Sequence, residues 1–388
     1  MDDLGRRHDR AGRVALTGGR LLTPDGIVDG DLVIEDGLIA AIEPAGRMPG
    51  AADAQGRLIA PGIVDIHGDA FERQIMPRPH VHFPIDMALE DTDRQLLSNG
   101  ITTAFHGITV SWEPGLRSLE NATEIVASLE RLGARLGCDT RLHIRWETFA
   151  FDAMDTVRGW LRADPAPILA FNDHLTPSLA SPPPPHKLES WAKRAGVSGE
   201  EYLMMMQALW ARRDEVPGAI AEMAAAARAA GAVLLAHDER TVEERRRFRA
   251  LGAVTSEFPM TRDTAAEARA AGEEVVLGAP NVVRGGSHNG MLTAAEAVRD
   301  GLCTVLASDY YYPAPLHAAF RLWREGLLSL AEAWALVSAN AAAAACLSDR
   351  GAITPGLRAD LVVIDDSDPA LPRVVEARVA GARVYSAG

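Results

Sequence analysis

Pro61-Gly62-Ile63-Val64-Asp65-Ile66-His67-Gly68-Asp69 changes character halfway along. It opens as a short apolar run and closes with Asp65, His67 and Asp69 spaced two apart, so that in a strand all three share one face. Charged groups at the end of an apolar strand suit a barrel of parallel strands, whose chemistry gathers at the C-terminal strand ends. Seven further short apolar runs follow, at residues 101–107, 141–147, 168–172, 232–237, 253–258, 274–278 and 304–309. Stretches of helical period lie between most of them, at 86–99, 116–136, 217–230, 241–251, 264–271 and 293–300. Repeated strand–helix units imply parallel strands and right-handed crossovers. Eight of them predict an α/β fold whose centre, residues 61–344, is a (β/α)8 TIM-like barrel. The proline-opened segment 182–213 is the one place where the strand count could change by one.

Outside the barrel both chain ends are rich in short strands and turns. Strands are expected at 14–16, 20–22, 31–35 and 38–42, with Glu35-Asp36-Gly37 as a hairpin turn. The other end offers strands at 359–364 and 374–385, the latter broken at Gly381. The simplest account is a small β-sandwich domain built from both ends, residues 13–60 plus 345–388, after a disordered tail at 1–12.

The 388 residues are 47% hydrophobic and 24% charged, as in ordinary globular proteins. A formal net charge of −14 argues against nucleic acid as a partner, since binding phosphate backbones needs a basic footprint. A small anionic substrate would require a local cationic device to oppose that field. The charged N-terminus is no signal peptide, and no apolar stretch approaches the ~20 residues that span a bilayer. Three dispersed cysteines give neither a disulfide framework nor a metal knuckle, so a cytoplasmic location is expected. Met204-Met205-Met206 reads as helix packing, with a homo-oligomer interface as the alternative, and Glu243-Glu244-Arg245-Arg246-Arg247 as a solvated helix face.

Metal-ligand chemistry recurs at the strand ends. The third strand carries His143, Arg145 and Glu147 on one face; the fourth ends at Asn172-Asp173-His174, the fifth at His237-Asp238 and the last at Ser308-Asp309. Each residue alone has an ordinary structural reading: a hydrogen-bonded core histidine, a loop cap, or an acid at a helix start. Together they predict one or two divalent cations held by His67, Asp69, Glu147, His174 and His237, with Glu147 as a bridging carboxylate. Mixed imidazole and carboxylate ligands suit Zn²⁺ first, with Mn²⁺ or Fe²⁺ as alternatives. Asp309 is the expected general base.

A second cluster, Gly278-Ala279-Pro280-Asn281-Val282-Val283-Arg284-Gly285-Gly286-Ser287-His288, follows the seventh strand, where barrels often bind phosphate. Gly285 and Gly286 would let backbone N–H groups approach an anion, with Asn281, Arg284, Ser287 and His288 supplying donors. A plain strand–helix turn is the competing reading. Pro77-Arg78-Pro79 stiffens a loop that presents Arg78 at the mouth.

These residues resemble the amidohydrolase superfamily, through Pro61-Gly62-Ile63-Val64-Asp65-Ile66-His67, the split β-domain and the last-strand Asp309. Within it the chain is similar, over nearly its whole length after the tail, to the ribose 1-methylphosphonate 5-triphosphate diphosphatases of the carbon–phosphorus lyase pathway. The most specific stretch is the one from Asn281 to His288, with His67-Gly68-Asp69, Gly100-Ile101-Thr102-Thr103 and Ser308-Asp309-Tyr310-Tyr311 in support. Asp69 stands where the superfamily usually has a second histidine, a form shared by the diphosphatases; Ala70 and Gln74 replace an Asn and a His of that family. The resemblance implies hydrolysis of the 5-triphosphate to the 5-phosphate and pyrophosphate by metal-activated water. Two other readings compete: a hydrolase of a cyclic amide, N-acyl or nucleobase substrate on the same scaffold, and a metal-free barrel serving as a structural partner. Glu147, where a bridging lysine would stand, counts against the lysine-bridged cyclic amidases.

Overall fold

The computed structural model describes residues 12–48, 51–180, 184–286 and 292–387. The tail expected at 1–12 therefore lies, but for its last residue, outside the described residues, as do Ser287 and His288. Strands β1 (Val14–Thr23), β2 (Gly26–Glu35), β3 (Leu38–Glu43), β4 (Ala52–Asp53) and β5 (Leu58–Pro61) open the chain. Eight parallel strands then form the barrel: β6 (Ile63–Gly68), β7 (Ile101–Val110), β8 (Asp139–Glu147), β9 (Ile168–Asn172), β10 (Val233–His237), β11 (Thr255–Glu257), β12 (Glu274–Gly278) and β13 (Val305–Ala307). The last strands, β14 (Leu361–Asp365), β15 (Arg373–Val379) and β16 (Ala382–Ser386), return to the first sheet, where β14 pairs antiparallel with β5. A mostly antiparallel sheet built from both chain ends thus packs around Leu16, Leu32, Ile59, Leu361 and Val363, matching the sandwich domain expected.

Gly62 marks the crossing from one sheet to the other, and only glycine fits there. A Cβ would lie 2.0 Å from Thr102 Oγ1. The barrel closes between its first and last strands by a parallel bridge from Gly68 to Asp309. Asp309 N–H donates to the His67 carbonyl (2.8 Å) and Asp69 N–H to the Asp309 carbonyl (2.9 Å). Asp65 seals the seam, accepting from Ser308 N–H at 2.9 Å and from the Ser308 hydroxyl. A Cβ on Gly68 would meet Asp65 Oδ2 at 2.7 Å and Ser308 Oγ at 2.8 Å, so His-Gly-Asp is a requirement of closure as well as of chemistry.

All eight predicted strands are present. Among the described residues the segment 182–213 holds no ninth strand but two helices, Pro185–Ala195 and Gly199–Trp210, the second started by a Ser198–Glu201 capping box. Among the described residues no helix is long and apolar enough to cross a membrane.

Candidate metal centre and substrate cavity

The strand ends bring His67, His143, His237 and Glu257 into one buried cluster. His67 Nδ1 lies 2.8 Å from Glu257 Oε1, while His143 Nε2 and His237 Nε2 stand 3.6 and 4.0 Å from its carboxylate. Glu257 is fully buried, yet its Oε2 has no hydrogen-bond partner, nor do His143 Nε2 and either ring nitrogen of His237. Buried polar atoms normally find partners, so this concentration of orphans marks a place built to receive something. The donor set fits a divalent cation. Ligand atoms of His67, His237 and Glu257 lie within 4.8 Å of one another, as do those of His174, His237 and Asp238, and of His67, Asp69 and Asp309.

Burial first, then the Arg145 guanidinium, holds His67 well below the usual imidazole range, and burial takes His143 down to about 3. Both are thus the neutral imidazoles that bind metals. Asp309 goes the other way. Burial and the charge of Asp69 push it up to about 7, where a carboxylate can accept and return a proton near neutrality. The backbone turns sharply at this rim: Asp238, Phe258 and Asp309, each one residue past a barrel strand or its extension, have φ of 57°, 53° and 56°. Left-handed conformations at non-glycine residues cost energy and cluster at functional sites.

Five sequence-predicted residues behave differently from one another. His67 and His237 sit in the central cluster, and Asp69 faces it while accepting from Arg145 Nη1 (2.8 Å). Glu147, expected as the bridging carboxylate, stands beside His174. It pairs with His174 Nδ1 and accepts from His174 N–H at 3.2 Å, so that the carboxylate between histidines is Glu257. Burial would raise Glu147, but the His174 charge holds it at about 2; Glu147 in turn lifts His174 to about 9. Glu257 was overlooked because the strand was expected to run to Phe258; in the structure β11 ends at Glu257, as β10 ends at His237.

The glycine-rich stretch also differs. Residues Ala279–Arg284 form a short helix, and Gly285, at φ 82°, caps its C-terminus. Gly285 N–H donates to the Val282 carbonyl and Gly286 N–H to the Asn281 carbonyl, so the two amides expected to cradle an anion are occupied by the cap. Arg284 is exposed and reaches Tyr310 Oη at 3.4 Å; Arg78 is exposed in a turn closed by Val81 N–H.

The larger cationic surface lies elsewhere. A cavity of about 460 Å³ opens beside Glu147 and His174, and four cations, Arg117, Lys187, Arg194 and Arg240, line it. Lys187 and Arg194 come from the helical segment for which no site was expected.

No family model matches the chain. It is 30% identical over 361 residues, covering 90% of this chain and 94% of the relative, to the alpha-D-ribose 1-methylphosphonate 5-triphosphate diphosphatase of Escherichia coli (strain K12). Among solved structures it is similar to an amidohydrolase from an environmental sample of the Sargasso Sea (TM-score 0.65, 18% identity, 96% of this chain and 93% of that one). It is also similar to a D-hydantoinase (TM-score 0.63, 14% identity, 96% and 95%).

Proposed function

The chain belongs to the amidohydrolase superfamily and, within it, to the family of the alpha-D-ribose 1-methylphosphonate 5-triphosphate diphosphatase; from that membership we propose that it is a metal-dependent hydrolase releasing pyrophosphate from this 5-triphosphate. The observation that carries the reading is the juxtaposition of an orphan-rich histidine–carboxylate cluster with a cation-lined cavity, in a protein whose net charge is −14. Lys187 and Arg240, which have no carboxylate partner among the described residues, favour an anionic substrate over a neutral amide.

His67, His237 and Glu257, with Asp69, His174 and Asp238 around them, are the residues that would hold the metal. When bound, a divalent cation there supplies Lewis acidity toward phosphate oxygens and lowers the pKa of a water. Asp309 takes the proton from the attacking water. The new bond joins the water oxygen to the α-phosphorus, the bond from that phosphorus to the bridging oxygen breaks, and pyrophosphate leaves with that oxygen. The proton on Asp309 passes to the departing pyrophosphate or to solvent. Burial raises Asp69 above the usual carboxylate range, and Arg145, donating to it, opposes that shift and orients the carboxylate at the centre.

The test is pyrophosphate release from alpha-D-ribose 1-methylphosphonate 5-triphosphate by the purified protein supplied with Zn²⁺ or Mn²⁺, with ATP and a cyclic amide as controls. Release from the phosphonate substrate, far faster than from ATP, is the expected result. A folded, metal-loaded protein that releases none sinks the reaction.

A further inference from the structure

The wall of the 460 Å³ cavity is not uniformly polar, and its composition distinguishes the two halves of the proposed substrate. Trp112, Tyr202 and Trp191 form a continuous aromatic surface, with ring centroids 5.3 Å apart between Trp112 and Tyr202 and 6.3 Å between Trp191 and Tyr202. Glu113 locks that surface in place: it accepts from Tyr202 Oη at 2.7 Å and from Arg194 Nη2 through both oxygens, at 2.7 and 3.0 Å. Arg117 is likewise committed, in a bidentate pair with Glu72. Two of the four cations therefore build the wall. The other two, Lys187 and Arg240, are exposed and have no carboxylate within ion-pair distance of their side-chain nitrogens among the described residues.

Taking the diphosphatase reading as its basis, we propose that this cavity is the subsite for the ribose 1-methylphosphonate half of the substrate. Lys187 and Arg240 hold the phosphonate oxygens, and the Trp112–Tyr202–Trp191 surface packs against the sugar ring and the methyl group. Pyrophosphate has no carbon and gains nothing from an aromatic wall. A sugar bearing a methylphosphonate ester has apolar C–H faces and one ionised oxygen, which matches a mostly preformed apolar surface with a few placed charges. The cavity also begins at Glu147 and His174, so a substrate whose α-phosphorus sits at the metal cluster can extend its sugar directly into it.

The experiment is a calorimetric titration of the full-length, metal-loaded protein with two separate probes, the product ribose 1-methylphosphonate 5-phosphate and inorganic pyrophosphate. Lys187 and Arg240 are exposed, so Lys187→Ala/Arg240→Ala should fold; a thermal midpoint confirms it. We expect the dissociation constant of the sugar product to rise about 10–100-fold in the double variant, the scale of two charged hydrogen-bond donors, while that of pyrophosphate stays within twofold. Trp191→Ala should weaken the sugar product alone, by a smaller factor. An equal rise for both probes, or a rise for pyrophosphate alone, assigns the cavity to the leaving group and overturns the proposal; no change for either probe overturns it as well. The titration needs no turnover. A protein that releases no pyrophosphate yet binds the sugar product through Lys187 and Arg240 would lose the reaction and keep the subsite.

Discussion

Two clusters of buried charge stand at opposite ends of the barrel, and they are built on opposite rules. At the N-terminal face Asp139, the first residue of β8, meets Arg350 and Arg358 at 2.7 Å each, and Arg358 meets Asp360 at 3.0 Å. Arg350 also donates to Thr103 and pairs with Asp349. Opposite charges face each other throughout, and the cluster ties the barrel to the β-domain through residues that precede β14. At the C-terminal mouth, Glu257 Oε2, His143 Nε2 and both ring nitrogens of His237 lack hydrogen-bond partners, Asp309 sits against Asp69, and three backbone positions are held left-handed. In the first cluster each carboxylate faces a guanidinium, although Arg358 Nε and Asp360 Oδ2 make no hydrogen bond among the described residues; in the second, buried imidazole and carboxylate atoms without partners face one another. Buried charge near the sheet's start is there for cohesion, and near its end for chemistry, which is the division of labour expected of this fold.

The sharpest way to test that division is to break each cluster and see which property falls. Asp309→Asn should cut pyrophosphate release by about 10²–10⁴-fold, the usual worth of a general base, and leave metal content intact. Metal lost in step with activity would make Asp309 a ligand first. At the other end, Arg350→Met leaves Asp360 with Arg358 alone and Asp139 with Arg358 and the more distant Arg141. Removing one partner of a buried pair typically costs about 3–5 kcal/mol, so a denaturant midpoint should drop sharply with metal stoichiometry unchanged. Metal loss there would mean the two ends are not independent. Glu257→Gln comes next: metal affinity should fall by about 10–100-fold or more, read by elemental analysis after dialysis and by the visible spectrum of the Co²⁺ form. His237→Ala should do the same, whereas Glu147→Gln should do so less, because Glu147 reaches the centre only through His174.

Why the sequence disclosed some of this and not the rest follows from what each signal encodes. Strand ends were legible because an apolar run that stops at a charged residue is local: residues 63–69 carry β6, its closure and two site residues in nine letters with the preceding proline and glycine. Glu257 was passed over because the strand was expected to run to Phe258. Which carboxylate lies between the histidines is a matter of barrel register, since β6, β8, β10 and β11 come together from distant parts of the chain. The glycine pair is ambiguous for a different reason. Gly285 has the positive φ expected of it, but a left-handed glycine serves a helix cap as well as an anion nest, and only the partners of its N–H decide. Arg245 shows the same limit: within a charged run read as solvated, it is fully buried against Glu239 and the Ala253 carbonyl. The cavity's cations were illegible because helices 185–195 and 199–210 form their wall by packing, which leaves no periodic mark on Lys187 or Arg194.

The smallest expected effect is the most diagnostic of which cluster lacks a partner, because its sign reverses with metal. In chelator-treated protein, Asp309 at about 7 against an unfolded value near 3.8, and His174 at about 9 against 6.5, both bind protons more tightly when folded. Such groups contribute stability that is fully present below their unfolded pKa and lost as pH rises through the folded one, so the Asp309 contribution should decline between about pH 4 and 7 and the His174 contribution between about 6.5 and 9. His143 and His106, taken by burial down to about 3 and 4, act in the other direction: their contribution is lost as pH falls below 6.5 through those values. The stripped protein should therefore show a thermal-midpoint maximum near neutrality, with Asp309→Asn steepening the rise on its acid side and leaving the alkaline decline, which belongs to His174, in place. Adding Zn²⁺ should remove that decline, since metal binding favours the deprotonated ligands and its contribution grows with pH. A stripped protein whose midpoint keeps rising to pH 9 would mean that the carboxylates and imidazoles at the mouth already satisfy one another, and the contrast between the two ends of the barrel would disappear.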